Sequence, residues 1–370
     1  MSTKSNDEAA RERREGAFGV SSENRLLTSL KLRLDYFSGR AWWNERETGG
    51  AGVILRFERV RARRPGRFQP LRSGEITPRF LERTLRALKR WRYDVIAMDE
   101  VCRRAVIMPQ RRRFVCLTFD GCYKDVIASA YPILSRHRVP FTVYVPTVFP
   151  DGLGEAWWLA LERIIAREDR LSLMIDRTER HYAIRTIAEK NETYEFLTSW
   201  LRQLAPSDLT AAIQDLCKRY SVDLVELSRK ASMDWTDLAQ LAADPLVTIG
   251  CATVNYTALS NLKDPAALRE MTMGRAVLES AFEREVRHFA YPFGDRASFR
   301  RAHVVLAEQA GFYSAVSTIP GIIDAEGRTN LRALPRISWD GRERSLHVMR
   351  VLVSGSPFAP VKPTRAAAPI

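Results

Sequence analysis

Eight short apolar segments, most of them separated by helical patterns, constrain the fold of this chain more than any other feature of its sequence. The segments are rich in β-branched and aromatic residues, which favour strands. The predicted strands are residues 53–57, 95–98, 114–119, 141–146, 247–252, 288–292, 313–317 and 334–338. The predicted helices are residues 78–91, 124–137, 265–283, 299–310 and 345–353. Alternation of this kind predicts an α/β fold with a parallel sheet closed into a barrel.

Two regions lie outside this alternation. Residues 151–232 are rich in Arg, Glu and Leu, and they are predicted to form a helical insertion that serves as a cap over a pocket or as an oligomer contact. Residues 1–45 are predicted to be an N-terminal arm with a basic amphipathic helix at 25–37, which either packs on its own domain or lies on an anionic membrane surface. The barrel is assigned to 46–356, and the Pro- and Ala-rich tail, 357–370, is predicted to be disordered.

The amino-acid composition limits which binding partners and which cellular compartment we expect for this protein. Five cysteines without framework spacing are typical of a reducing compartment, and neither an apolar signal region nor an apolar run long enough for a membrane span is present. We therefore expect a cytoplasmic protein, which would be peripheral to the inner membrane face if the arm binds lipid. The formal net charge of +14 indicates either a solvated basic surface or an anionic partner, such as a saccharide or a membrane. No nucleic-acid motif accompanies it, so no nucleic-acid partner is expected.

A carboxylate follows one of the predicted buried strands. The segment Leu-Thr-Phe-Asp-Gly-Cys-Tyr-Lys-Asp, 117–125, places Asp120 at the strand's carboxyl end, where α/β enzymes carry catalytic groups. The segment resembles the first signature of the polysaccharide deacetylases, the NodB-homology carbohydrate esterases, which reads Thr-Phe-Asp-Asp-Gly-Tyr-(Arg/Lys)-Asp. Residues 131–145, 233–250, 287–295 and 334–338 resemble later blocks of the same family in the same order. The resemblance implies a distorted (β/α)7-type barrel.

The resemblance also implies a metal site, and the chain departs from it. Family members hold a divalent ion, usually zinc, with one Asp and two His, and the ion activates water for hydrolysis of an N-acetyl group. The corresponding positions here are Gly121, Ala252 and Tyr256, none of which is a good zinc ligand. Glu58 stands where relatives often carry a further His. Only Asp120, at the position of the general base, is kept, so no metal is expected.

Further site residues follow from the resemblance. Arg287 is predicted to orient or pair with Asp120, although an Arg at a strand entrance more often forms a simple surface ion pair. The residues predicted to contact substrate are Tyr123, Asp234, Trp235, Tyr291 and Pro292. His347 superficially matches a catalytic His motif but lies within a helical pattern.

Three functions remain open from the sequence. The leading interpretation is a catalytically impaired pseudo-deacetylase that binds an N-acetylated oligosaccharide or glycolipid. The second is an active deacetylase with a rebuilt site, in which Cys122 and Cys251 meet and bind zinc or another divalent cation with Asp120 or Asp125. The third is a structural interaction protein whose insertion and basic face bind another protein.

Overall fold

The computed structural model of the protein describes residues 50–106, 112–175, 178–324, 327 and 329–358. Its strands are β1 (Gly52–Phe57), β2 (Arg59–Val60), β3 (Glu75–Ile76), β4 (Asp94–Val95), β5 (Phe114–Asp120), β6 (Phe141–Val145), β7 (Arg170–Ile175), β8 (Thr178–Ala183), β9 (Val247–Cys251), β10 (His288–Ala290), β11 (Ser314–Val316) and β12 (Ile337–Ser338).

Helices connect these strands. They are α1 (Pro78–Arg90), α2 (Met98–Val106), α3 (Tyr131–Arg136), α4 (Trp157–Arg167), α5 (Ile187–Leu201), α6 (Pro206–Arg219), α7 (Leu224–Ala231), α8 (Trp235–Ala242), α9 (Asp264–Phe282), α10 (Arg301–Gln309) and α11 (Leu346–Val353). A short π-helical segment, Val126–Ala130, precedes α3.

The central sheet confirms the predicted α/β fold class. Seven of its strands are hydrogen-bonded in the order β11-β10-β9-β6-β5-β1-β12, β4 pairs with the start of β5, and each of these pairs is parallel. The two ends of the sheet meet where Val316 of β11 pairs with Leu334, three residues before β12. The result is a distorted barrel in which β5 is buried along its whole length. The carboxyl ends of β1 and β5 therefore lie side by side at one end of the barrel.

Each predicted barrel strand overlaps an observed one, and the bounds differ mainly at their ends. The largest difference follows β4, which stops at Val95, because Met98 already begins α2. Asp99 and Glu100 lie in the first turn of that helix, where acidic side chains interact favourably with the helix dipole. An apolar residue next to two acids at a helix start was therefore wrongly included in a strand.

The insertion is not purely helical, which corrects the prediction for 151–232. Besides α4 to α7 it contains an antiparallel hairpin of β7 and β8. Leu171, Leu173 and Ile175 alternate inward on β7 and join a core of their own with Leu161 and Ile164 of α4. The hairpin escaped prediction because β8 is largely exposed and polar, so it lacks the apolar pattern of a buried strand.

The predicted arm at 1–45 and the residues of the tail after 358 lie outside the described residues. Within the described part of the chain, no helix is long and apolar enough to span a bilayer.

Candidate functional site

Asp120 is the last residue of β5, opposite Tyr144 of β6, and it is only 3% exposed. A buried carboxylate is costly unless charged or polar partners compensate for its lost hydration. The sequence predicted such a partner, and the structure provides two arginines, neither of which is Arg287.

Arg336 is the first partner of Asp120. It lies just before β12 and its side chain is fully buried. Its two terminal nitrogens donate to both carboxylate oxygens of Asp120, at 2.7 and 2.8 Å, which is the bidentate geometry that guanidinium favours. Its Nε donates to the backbone oxygen of Ser317, and one terminal nitrogen also lies 3.1 Å from the hydroxyl of Thr118. Arg336 is thus held from both sides of the seam where the barrel closes.

Arg56 of β1 is the second partner. Its Nε donates to Oδ2 of Asp120 at 2.5 Å, and its terminal nitrogen lies 2.7 Å from Glu58. The cluster therefore contains two guanidinium groups and two carboxylates. Arg56 lies in β1 and Asp120 in β5, whereas Glu58 directly follows β1 and Arg336 directly precedes β12. The charges of the cluster balance within the barrel wall.

These contacts define the protonation state of Asp120. Burial by itself raises the pKa of this carboxyl, but the charges and hydrogen bonds of Arg336 and Arg56 outweigh it and hold the pKa below its usual value. A carboxylate with a lowered pKa, whose two oxygens already accept three charge-assisted hydrogen bonds, is poorly suited to take a proton from water. Asp120 is therefore an ionic anchor in this structure.

The donor set around Asp120 does not fit a divalent cation. The nearby carboxylates, Asp120 and Glu58, are both engaged by Arg56, whose positive charge opposes the approach of another cation. Among the residues described, no group of three or more His, Cys, Asp or Glu side chains could hold a metal ion. These residues therefore do not support the reaction that the family resemblance implies, which is hydrolysis by a zinc-bound water.

The cysteines give no support to a rebuilt site either. Cys122 and Cys251 are both buried and free of disulfides; the Cys122 thiol lies 3.9 Å from the backbone oxygen of Met233, and Cys251 packs against Gly274 of α9. Burial raises the pKa of both thiols, that of Cys251 to about 12, so both are protonated at neutral pH. Asp125, the other acid of that hypothesis, binds Arg59 at 2.6 Å.

At the three positions where metal ligands were expected, the residues now form a backbone turn or pack against neighbouring side chains. Gly121 has φ +93°, and a Cβ there would lie 2.7 Å from the ring of Tyr123. Ala252 is buried in the barrel interior, with Tyr256 packed against the same cluster. Burial and the charge of Asp120 raise the pKa of the Tyr256 phenol to about 12, against the opposing effect of Arg56, so Tyr256 stays neutral.

A cavity of about 310 Å³ opens over Asp120. We call it the Asp120 cavity. Its polar lining includes Arg56, Glu58, Ser73 and Arg202, and its aromatic lining is Tyr123, Trp157, Trp158, Tyr194, Tyr256 and Phe293. The indole of Trp158 donates to the hydroxyl of Tyr123 at 2.8 Å, which fixes two of these rings against each other. Apolar faces with a few oriented polar groups are typical of small-molecule sites.

Four of the eight non-glycine residues with left-handed backbone in the described part of the chain lie in the loops after β5, β9 and β10. Cys122, Thr253, Tyr256 and Phe293 all have φ between +54° and +70°, although none of them is glycine. Strain of this kind is retained where the surroundings enforce it, often at ligand sites.

Of the five residues predicted to contact substrate, one lines the Asp120 cavity. Tyr123 lines the Asp120 cavity, whereas Asp234, Trp235, Tyr291 and Pro292 do not. Asp234 caps α8, and the Trp235 indole donates to Asp151. The ring of Tyr291 stacks on Phe299 at 4.2 Å, inside the core.

Arg287 is also remote from the cavity. It binds Asp99 at 2.6 Å and lies over the ring of Tyr313, so its predicted contact with Asp120 is wrong and the simpler surface ion pair is correct. His347 is an exposed residue of α11, as the helical pattern indicated.

The residues that sequence reasoning missed are Arg56, Arg336, Trp158 and Arg202. Arg56 and Arg336 carried a usable signal, since each is a cation inside an apolar strand segment, and such residues are almost never buried without a partner. Trp158 and Arg202 carried none, because their place depends on how the insertion folds back over the barrel.

Comparisons with known proteins agree with this architecture. A family model described as polysaccharide deacetylase matches residues 204–315, from the turn before α6 to β11. No curated protein matches the chain.

Among solved structures, IcaB from Ammonifex degensii is 13% identical; the likeness covers 82% of this chain and 98% of that one, with a TM-score of 0.51. A polysaccharide deacetylase from Bacillus cereus is 11% identical over 81% of this chain and 68% of that one, with a TM-score of 0.51. At these identities the likeness shows the barrel fold, and with the family model it confirms the predicted resemblance.

Proposed function

We propose that this chain, which a polysaccharide deacetylase model matches over residues 204–315, belongs to that family and binds an N-acetylated glycan without hydrolysing it. The observation that carries the proposal is the pairing of Asp120 with Arg336 and Arg56 beneath a cavity with aromatic walls. Hydrolysis of an acetamide needs an activated water, and this pairing removes the base while the lost ligand positions remove the metal. No cofactor is part of the proposal.

The cavity supports the binding half of the proposal. Aromatic rings offer rigid apolar faces with few lost rotamers, and Arg56, Glu58 and Ser73 offer donors and acceptors for hydroxyl and acetamido groups. A glycan carried on a lipid at the inner face of a membrane is a further part of the proposal, supported by the net charge of +14.

The first test is chemical. Full-length protein purified with zinc present is expected to retain much less than one metal ion per chain and to release no acetate from N-acetylglucosamine oligomers above the buffer rate. Metal content by mass spectrometry and acetate by an enzymatic assay measure both. A metal-to-protein ratio near one, together with acetate release that a chelator abolishes, would establish the active deacetylase instead.

The second test concerns binding and uses two tryptophans as a matched pair. Trp158 lines the Asp120 cavity, whereas Trp235 lies outside it, and the indole of each donates one hydrogen bond to a side chain. We expect Trp158→Ala to weaken binding of N-acetylglucosamine oligomers at least about tenfold, as aromatic anchors do at binding sites. Trp235→Ala is expected to leave affinity unchanged. Calorimetry that finds no saturable binding in the parent protein would favour the structural interaction protein.

A further inference from the structure

A second cavity, of about 720 Å³, lies at the surface between α10 and the segment 317–335, which joins β11 to β12. We call it the α10 cavity. No residue lines both this cavity and the Asp120 cavity, and its volume is in the range of small-molecule sites. The charged residues of its lining are Arg296, Arg300, Arg301, Arg332 and Glu308.

We infer that the α10 cavity binds the phosphate or diphosphate group of a ligand. Four guanidinium groups against one carboxylate make the cavity strongly positive. Guanidinium is planar and donates in pairs, which matches the oxygens of a phosphate group. The inference goes beyond the proposed function and does not depend on it, because the two cavities share no lining residue.

Two of the four arginines are available to a ligand. Arg296 and Arg301 are exposed, and neither forms an ion pair or a side-chain hydrogen bond with any residue in the described ranges. The single acid of the lining, Glu308, pairs with Arg332, and its side chain is 60% exposed, so water screens its charge. The positive charge of the cavity is therefore not neutralised by its own lining.

The other two arginines are held in place by the protein. Arg300 donates through one terminal nitrogen to the backbone oxygen of Ser260 at 2.8 Å. Arg332 lies 3.2 Å from Glu308, and its Nε donates to the backbone oxygen of Phe312 at 3.4 Å. These contacts fix two guanidinium groups at the wall before a ligand arrives, which lowers the entropy that binding costs.

The start of α10 adds to the positive potential. Arg300 is the N-cap and Arg301 the first residue of this helix, whose first turn contains no acidic side chain. A helix N-terminus carries a partial positive charge, so cations are unfavourable there and anions are favourable. The free protein thus holds like charges together at this point, and a bound anion would relieve their repulsion.

The apolar part of the lining strengthens these charges. Phe299, Val304 and Ile319 line the same cavity. Walls of low dielectric focus the field of surrounding charges on the space between them. An anion in the α10 cavity therefore interacts with the four arginines more strongly than it would on an open basic surface.

The test measures binding of inorganic pyrophosphate and orthophosphate to the full-length protein by calorimetry in a phosphate-free buffer of low salt. Pyrophosphate is expected to bind saturably at one site per chain. It is also expected to bind at least about tenfold more tightly than orthophosphate, because it reaches more than one guanidinium group.

The double variant Arg296→Ala with Arg301→Ala is expected to weaken pyrophosphate binding at least about tenfold. Its matched control is Arg79→Ala with Arg83→Ala on α1, which removes the same charge. Arg79 and Arg83 are also exposed, line neither cavity and form no ion pair within the described part of the chain, so the control is expected to keep the parent affinity.

Vesicles distinguish the two sources of such a phosphate group. Cosedimentation with phosphatidylcholine vesicles that contain phosphatidic acid, lost in the Arg296 and Arg301 double variant and prevented by pyrophosphate, would assign the site to a lipid headgroup. Pyrophosphate binding without such cosedimentation would assign it to a soluble phosphate, and either result supports the site. Absence of saturable pyrophosphate binding, or equal loss of affinity in the two double variants, overturns the inference and leaves the glycan-binding proposal as it stands.

Discussion

Asp120→Ala is expected to destabilise the folded protein by about 3–5 kcal/mol, because it leaves a fully buried guanidinium without its counter-charge. Arg336 loses two of its hydrogen bonds and Arg56 loses one, while Glu58 remains for Arg56 alone. Urea unfolding followed by circular dichroism measures the change. A loss of this size is a large part of the free energy of unfolding of a typical domain.

The control for Asp120→Ala is an exposed ion pair. Glu226 pairs with Lys230 on the surface of α7, so Glu226→Ala is expected to change the free energy of unfolding by no more than about 1 kcal/mol. If Asp120→Ala costs as little as Glu226→Ala, Asp120 is a relic of the ancestral site and not an anchor.

The same pairing has a pH dependence with a defined sign. The pKa of Asp120 is lower in the folded protein than in the unfolded chain, where a value of about 3.9 is usual. Its contribution to stability is therefore fully present above about pH 4–5 and is lost as the pH falls through the lowered folded pKa. Unfolding of Asp120→Ala is expected to depend less on pH in that acidic window than unfolding of the parent protein.

Restoring the family's metal ligands is expected to fail. The aligned motifs alone suggest that Gly121→Asp, Ala252→His and Tyr256→His together would rebuild a zinc site. Two features of the structure argue against it. Any side chain at Gly121 would have to adopt the backbone φ of +93°, and its Cβ would meet the buried ring of Tyr123. Arg56 would also still pair with Asp120 and oppose a cation there.

The expected result is that the triple variant binds no stoichiometric zinc, measured by equilibrium dialysis and mass spectrometry. Gly121→Asp alone is expected to destabilise the protein, and Gly66→Asp is a matched control. Gly66 has φ +97°, but a Cβ at this residue would have no atom within 4 Å, so its replacement carries the backbone cost of about 1 kcal/mol alone. The contact with Tyr123 adds about 1–3 kcal/mol at Gly121. One zinc per chain in a stable triple variant would show that the pocket still accommodates its ancestral ligands.

The departure from the metal-ligand pattern that the family resemblance implies was readable from the residue types at three positions. The side chains of Gly121 and Ala252 have no lone pair to offer a metal, and the neutral phenol of Tyr256 is a poor zinc ligand. The location of Asp120 was also predictable from the sequence, because it ends an apolar strand and such ends lie at the carboxyl edge of the sheet. Period-two and helical patterns are local, so they also predicted the barrel strands and the helices between them.

The partners of Asp120 were decided by the tertiary structure. Arg56 and Arg336 are 64 and 216 residues away along the chain, and they meet Asp120 because β1, β5 and β12 are neighbours in the sheet. Arg287 lies in a motif block that the family resemblance pointed to, but it immediately precedes β10, at the amino end of that strand, and binds Asp99 instead.

The aromatic walls of the Asp120 cavity also depend on contacts between distant segments. Trp158 and Trp235 are both flanked by helical sequence, and nothing local distinguishes the one that lines the cavity from the one that packs outside it. The insertion folds on a core of its own and lays α4 and α5 across the barrel mouth, which brings Trp158 and Arg202 to Tyr256 and Phe293. The residue types and the strand ends that carry them follow from the sequence alone, whereas contacts between distant segments depend on strand order and packing, which local periodicity does not encode.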